Sequence, residues 1–289
     1  ALCHANLGRV RLKLGQPAEA VQSLERAAGL GPTDAAVRAC LGGAYLRAGL
    51  LREAETTLLS AVGLAPNEGD AANDLGVVSH LGGNSPRAFR ALRAALRAEP
   101  GHPLAHANLG LELLFRGQSS AAVGALAKAR RLSGEAPEVW GDLSVALYLA
   151  GSPGEAEAAL GRALEAPTVP FEIPYNLGTL RWLQGRHELA VGELDRVAGV
   201  RPDDAPTRVN LGCALLQSGN VDKAAGHFEH AAKVAPDNAA ALTNLGLCLL
   251  LRGRLDEALP RLTEAVRLAP EHVAVQFNLA YCHHLRGEV

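Results

Sequence analysis

The chain has 289 residues, with 28 Lys and Arg against 30 Asp and Glu, and a formal net charge of −2. It therefore lacks the basic footprint that nucleic-acid binding calls for. It is 48% hydrophobic but only 4% aromatic, which suits Ala- and Leu-filled helices better than a β-sandwich.

Read in chain order, the sequence overlays on itself every 34 residues. A period of that length marks a repeat architecture. The units are 1–34, 35–68, 69–102, 103–136, 137–170, 171–204, 205–238 and 239–272, with a half repeat at 273–289. The first unit opens directly in register. Methionine is absent throughout, so residue 1 is read as a processed end or an internal cut. Each unit predicts two antiparallel helices. In the first, positions 4, 7, 8 and 11 share one helical face, with Leu at 7 (Leu7, Leu41, Leu75, onward to Leu279) and a small residue at 8 that admits a second helix closely. Gly at position 15, from Gly15 to Gly287, ends that helix in a left-handed cap. The second helix carries Ala at 20, a large apolar residue at 24 and Ala at 27, as in Ala224, Phe228 and Ala231. Proline at 32 (Pro32, Pro66, Pro100, Pro202, Pro236, Pro270) then stops it.

The regularity falters at unit 137–170, where Ser144 replaces Gly and Thr168 replaces Pro. Pro167, Pro170 and Pro174 crowd its junction with 171–204. The junction is read either as drift in a turn or as a local change of pitch or a hinge. The following units regain the pattern. Residues 273–286 form one more first helix whose apolar residues have no following helix to cover them. Solenoids normally close with a polar cap, so a piece of a longer array is expected.

This pattern resembles the tetratricopeptide repeat over the whole chain. The family's Trp at position 4 occurs only as Trp140 and its Tyr at 11 only as Tyr45. The resemblance implies an all-α fold, a right-handed superhelix of helix-turn-helix units whose first helices line a concave groove.

Opposite the core face of each first helix lie positions 2, 6, 9 and 13. A solvated helix would be charged there. Instead the positions hold Val77 and Leu81, Leu111 and Phe115, Val145 and Leu149, Leu183, Leu247 and Leu251, Tyr281 and Leu285. The outward positions of the second helices are polar or small, as in Arg90, Arg93 and Arg97. A contiguous exposed apolar strip marks an interaction site. Position 6 forms a ladder of Asn6, Asp74, Asn108, Asp142, Asn176, Asn210, Asn244 and Asn278, interrupted by Cys40; it holds six of the chain's eleven asparagines. Asn is a mediocre helix former, and its amide matches a peptide unit as donor and acceptor. The ladder resembles that in the repeats of O-linked N-acetylglucosamine transferase, which implies a grip on an extended polypeptide; copying by duplication is the alternative reading. Positions 2 and 5 carry no Lys or Arg, so the carboxylate clamp of chaperone-adaptor repeats is excluded. The groove is basic only at Arg9, Lys13 and Arg47 and acidic at Asp70, Asp74, Glu138, Asp142 and Glu172.

No chemistry of its own is expected. No phosphate loop follows a strand, and His227 with His230, or Cys282 to His284, offer too few ligands for a metal. No catalytic Ser–His–Asp or Cys–His set can be assembled. Cys3, Cys40, Cys213, Cys248 and Cys282 form no CxxC pair and fit a reducing, cytoplasmic setting. No run approaches the roughly 18 apolar residues of a membrane span, and no secretion signal opens the chain. The expected function is a non-catalytic scaffold or adaptor that takes a protein or peptide in its groove, without cofactor, metal, nucleic acid, membrane insertion or small-molecule substrate. Alternatives are the substrate-recruiting region of a glycosyltransferase, or a docking platform in a bacterial motility or secretion assembly.

Overall fold

The structure, a computed structural model, describes residues 1–31, 33–134 and 136–288. Among them every regular element is a helix, and none is long and apolar enough to cross a membrane. The chain divides into two compact units, Ala1–Ala166 and Pro167–Val289. The first holds α1 (Leu2–Lys13), α2 (Pro17–Leu30), α3 (Ala35–Arg47), α4 (Leu51–Leu64), α5 (Gly69–Leu81), α6 (Ser85–Ala98), α7 (Pro103–Phe115), α8 (Ser119–Ser133), α9 (Pro137–Leu149) and α10 (Pro153–Ala163). The second holds α11 (Glu172–Leu183), α12 (His187–Val200), α13 (Ala205–Gln217), α14 (Val221–Val234), α15 (Ala239–Leu251), α16 (Leu255–Leu268) and α17 (Val273–Leu285).

Local chemistry sets the boundaries. At Asp34 the side chain accepts from the Val37 N–H at 3.1 Å, and Asn84, Asp204 and Asn238 cap α6, α13 and α15 in the same way. Gly15 turns the chain at φ +72°, and the Gln16 N–H then reaches back to the Arg11 carbonyl at 2.9 Å. This is the six-to-one bond of a Schellman cap, and each later turn repeats it through a glycine of positive φ. Second helices end ahead of position 32, where Pro66 and its equivalents stand; Pro32 lies outside the described residues.

Packing explains the registers. A Cβ on Gly42 would meet Leu58 Cγ at 2.5 Å, and one on Gly212 would meet Phe228 Cε1 at 2.6 Å. The small residue at position 8 is thus the seat of the large one at 24. Ser144 fits the same place because its hydroxyl turns back onto the Gly141 carbonyl at 2.6 Å. Leu24, Leu58, Leu126, Leu194, Phe228 and Leu262 are all fully buried, as is every Ala of the position-20 register. Within each unit, first helices touch the first helices next to them, whereas second helices touch first helices only. The first helices are therefore the inner layer of each stack. At the proline-rich junction α10 stops at Ala163 after 11 residues, while every other second helix has 14 or 15. The division between the two units falls three residues later.

Candidate functional site

Positions 9 and 13 of the first helices carry the apolar residues that stand clear of the core. Phe115 is 69% exposed, Leu251 61% and Leu111 40%. Leu81, Val145, Leu149, Leu183, Tyr281 and Leu285 are also exposed, while Val77 and Leu247 are half-buried. In the first unit the strip runs through α5, α7 and α9; in the second it occupies α11, α15 and α17. The second helices differ as expected with one exception, Leu59, exposed at an outward position of α4. Leu189 also stands exposed there, and position 30, in the last turn of the second helices, is exposed and apolar at Leu30, Leu64, Leu132, Val200 and Val234.

The ladder at position 6 lies along the edge of the strip. The first unit brings together Asn6, Asp74, Asn108 and Asp142, with Cys40 between the first two; the second brings together Asn176, Asn210, Asn244 and Asn278. All except the exposed Asn6 are half-buried. Several are already tied to the preceding first helix, through residues that sequence reading did not single out. Asn108 Nδ2 donates to Asn73 Oδ1 at 2.9 Å, and Asn73 Nδ2 donates to Asp74 Oδ1 at 3.3 Å. Asn210 Nδ2 donates to the Tyr175 hydroxyl and to Thr179 Oγ1, each at 3.0 Å. Asn244 Nδ2 donates to Cys213 Sγ at 3.6 Å. These residues sit at positions 5 and 9 of the preceding unit. Asn210, with both N–H groups spent, keeps its acceptor oxygen for a partner, while Asn108 and Asn244 keep the oxygen and one N–H.

The carboxylates differ among themselves. Asp70 meets His102 Nε2 at 3.0 Å. Burial raises the Asp74 carboxyl above its ordinary range, opposed by Arg47 and the Asn73 bond. Asp142 has no such help: burial and then the like charge of Glu138 push it up to about 6. Behind the strip, Glu112 is 1% exposed and accepts from Ser85 Oγ and, at 2.8 Å, pairs with His80 Nδ1. The carboxylate lies between hydroxyl and imidazole, so the imidazole does not reach the hydroxyl and the trio lacks the hydroxyl–imidazole–carboxylate order of a nucleophilic relay. It supports the groove instead, because the His80 ring meets Phe115 edge-on at 5.2 Å. A charge at position 10, where Val10, Ala44, Val78 and Ala146 stand in other repeats, was the signal to follow.

Among the described residues no three His, Cys, Asp or Glu side chains gather as a metal site. Burial pushes the Cys213 and Cys248 thiols up to about 11, away from reactivity.

No curated protein matches this chain. Among solved structures, the Cut9–Hcn1 hetero-tetramer of the APC/C is similar with a TM-score of 0.73 and 16% identity over 97% of this chain, which spans 55% of that one. PilW, a widely conserved type IV pilus biogenesis factor, gives 0.68 and 19% over 73% of this chain and 98% of its own. A tetratricopeptide repeat protein from Parabacteroides merdae gives 0.66 and 14% over 83% and 95%. At such identities the likeness shows the fold alone. In sequence, one tetratricopeptide repeat family model matches residues 107–172, 209–260 and 252–289, and a second matches 11–75. With more than half of it matched by the first of these, the chain belongs to the tetratricopeptide repeat family.

Proposed function

We propose that this chain is a non-catalytic scaffold or adaptor that holds extended protein segments in grooves lined by its first helices. One observation carries the reading: the solvent-facing side of the first helices is apolar, at Leu111, Phe115, Leu149 and Leu251, where a merely solvated helix would be charged. The ladder oxygens beside the strip supply acceptors for backbone N–H groups, which any extended segment presents irrespective of its side chains. Asn108, Asn176, Asn210, Asn244 and Asn278 serve in that role, joined by Asn6 at the start and by Asp74 and Asp142 between. The five free thiols suit a reducing, cytoplasmic setting.

The test is differential capture from native lysate. Proteins retained by the unaltered chain should be lost when Leu111, Phe115 and Leu251 are changed together to Ser. They should persist when Arg90, Arg93 and Arg97 of α6 are changed to Ala. Loss with the arginine variant and retention with the serine variant would move the working surface to the second helices.

A further inference from the structure

We infer that the groove of the first unit is shaped for an extended polypeptide segment that sets a Lys or Arg side chain on Asp142 and apolar side chains over Leu111 and Phe115. The inference rests on the groove reading above and adds the chemistry of the occupant. Asp142 is half-buried, and no hydrogen bond or ion pair reaches it among the described residues. Among the described residues, the one charge felt by it is that of Glu138, one turn earlier on α9 and of the same sign. On α7, the neighbouring first helix, the same face presents Leu104, Asn108, Leu111 and Phe115, none of them charged. Of the other groove carboxylates of this unit, Asp70 meets His102 and Asp74 is offset by Arg47 and Asn73, while Glu138 is exposed to solvent.

A carboxylate drawn out of water without a counter-charge is unfavourable unless something supplies one. The chain does not supply it here. An anionic ligand is disfavoured by the sign of the field, and a bare metal ion by the lack of a cluster of three ligands among the described residues. A cation carried on an apolar segment meets both features at once. Neighbouring first helices lie about 8–10 Å apart, and an extended segment advances about 3.3 Å per residue. A side chain over Phe115 and one on Asp142 are therefore about three residues apart on the ligand. Between them Asn108, whose Nδ2 is held by Asn73, turns its free oxygen to a backbone N–H.

Selection of a random peptide library of about twelve residues, long enough at ~3.3 Å per residue to cross four first helices, on the whole chain tests this. Enriched sequences should carry Lys or Arg about three positions from an apolar residue. In calorimetric titration, changing that basic residue to Gln should weaken binding about tenfold, one charge-assisted hydrogen bond's worth. Asp142→Asn should weaken the parent peptide by the same factor and abolish the difference between the two peptides. Enriched sequences without a basic residue, or a Gln penalty that survives Asp142→Asn, overturn the inference while leaving the groove reading in place. Enrichment of nothing, or binding indifferent to Leu111→Ser with Phe115→Ser, overturns the groove reading as well. Self-association in sedimentation velocity that those two changes dissolve would put a second copy in the groove and also overturn it.

Discussion

The two units share one scaffold and differ in what they show on it. In both, a small residue at position 8 seats a large one at 24, and in both a positive-φ glycine makes the turn. The ladder does not behave this way. In the second unit it is uniform: Asn176, Asn210, Asn244 and Asn278. In the first it alternates, with Cys40, Asp74 and Asp142 among Asn6 and Asn108. The buried Glu112 with its His80 and Ser85 partners also belongs to the first unit alone. Where helices must approach within a Cβ of contact, geometry admits only a small residue, Gly in seven repeats and Ser144 or Ala280 in the others. Position 6, half-buried in all but the first repeat, is under no such requirement, and its residue varies.

If that contrast is right, disturbing the shared scaffold should be equally damaging in either unit. Gly42→Val and Gly212→Val each drive atoms into Leu58 or Phe228, and each should destabilise by about 3 kcal/mol. Chemical denaturation giving a large cost in one unit and none in the other would break the comparison. A feature confined to the first unit should have no counterpart elsewhere. Glu112→Ala removes a buried carboxylate and strands Ser85 and His80, at a cost of about 2 kcal/mol. Ala146→Gly, at the same register in the next repeat, has no polar partner to strand and should show only the ~1 kcal/mol propensity loss of glycine and the ~0.8 kcal/mol loss of one buried methyl.

Asp142 separates fold from function within the groove. Its raised folded pKa means that the native state holds the proton more tightly than the unfolded chain does. Its effect on stability is therefore absent at low pH and grows unfavourable as pH rises from about 4 to about 6. Asp142→Asn should raise stability at pH 7 by about 1–2 kcal/mol, discounted for partial exposure, and by almost nothing at pH 3.5 or so. Melting curves of both proteins across that window check the sign. A mutant less stable at neutral pH would mean that the carboxylate has a partner.

The smallest effects distinguish ladder members that look alike in sequence. Asn210→Ala breaks the bonds to Tyr175 and Thr179 and should cost about 1 kcal/mol. Asn176→Ala has no such bond to lose and should be neutral, or stabilising by a few tenths of a kcal/mol from helix propensity. Equal responses in calorimetry would show that the tie between repeats carries no weight.

That last pair marks where sequence reading reaches its limit. Helix number, turn placement and core registers follow from a 34-residue period, because each is a local requirement copied nine or so times. The exposed strip at Leu111, Phe115 and Leu251 was legible for the same reason, as the face left over once the core face is assigned. The ladder's second employment was not. Asn108 finds Asn73, 35 residues back, and Asn210 finds Thr179, 31 residues back. Such partners are set by how one first helix lies on the next, which the period alone does not specify. The shortening of α10 was equally hidden, since Leu164 and Ala166 are good helix formers and only the prolines beyond them signalled trouble.

The central claim is that the exposed inner face of the first helices, and not the second helices, meets the partner. Methyl-labelled nuclear magnetic resonance of the chain, titrated with a library-selected peptide, tests it most directly. The resonances of Leu111, Val145 and Leu251, exposed on first helices, should shift or broaden according to the unit engaged. Those of Leu59 and Leu189, equally exposed on second helices, should stay in place. Movement of Leu59 and Leu189 with Leu111, Val145 and Leu251 unchanged would contradict the account.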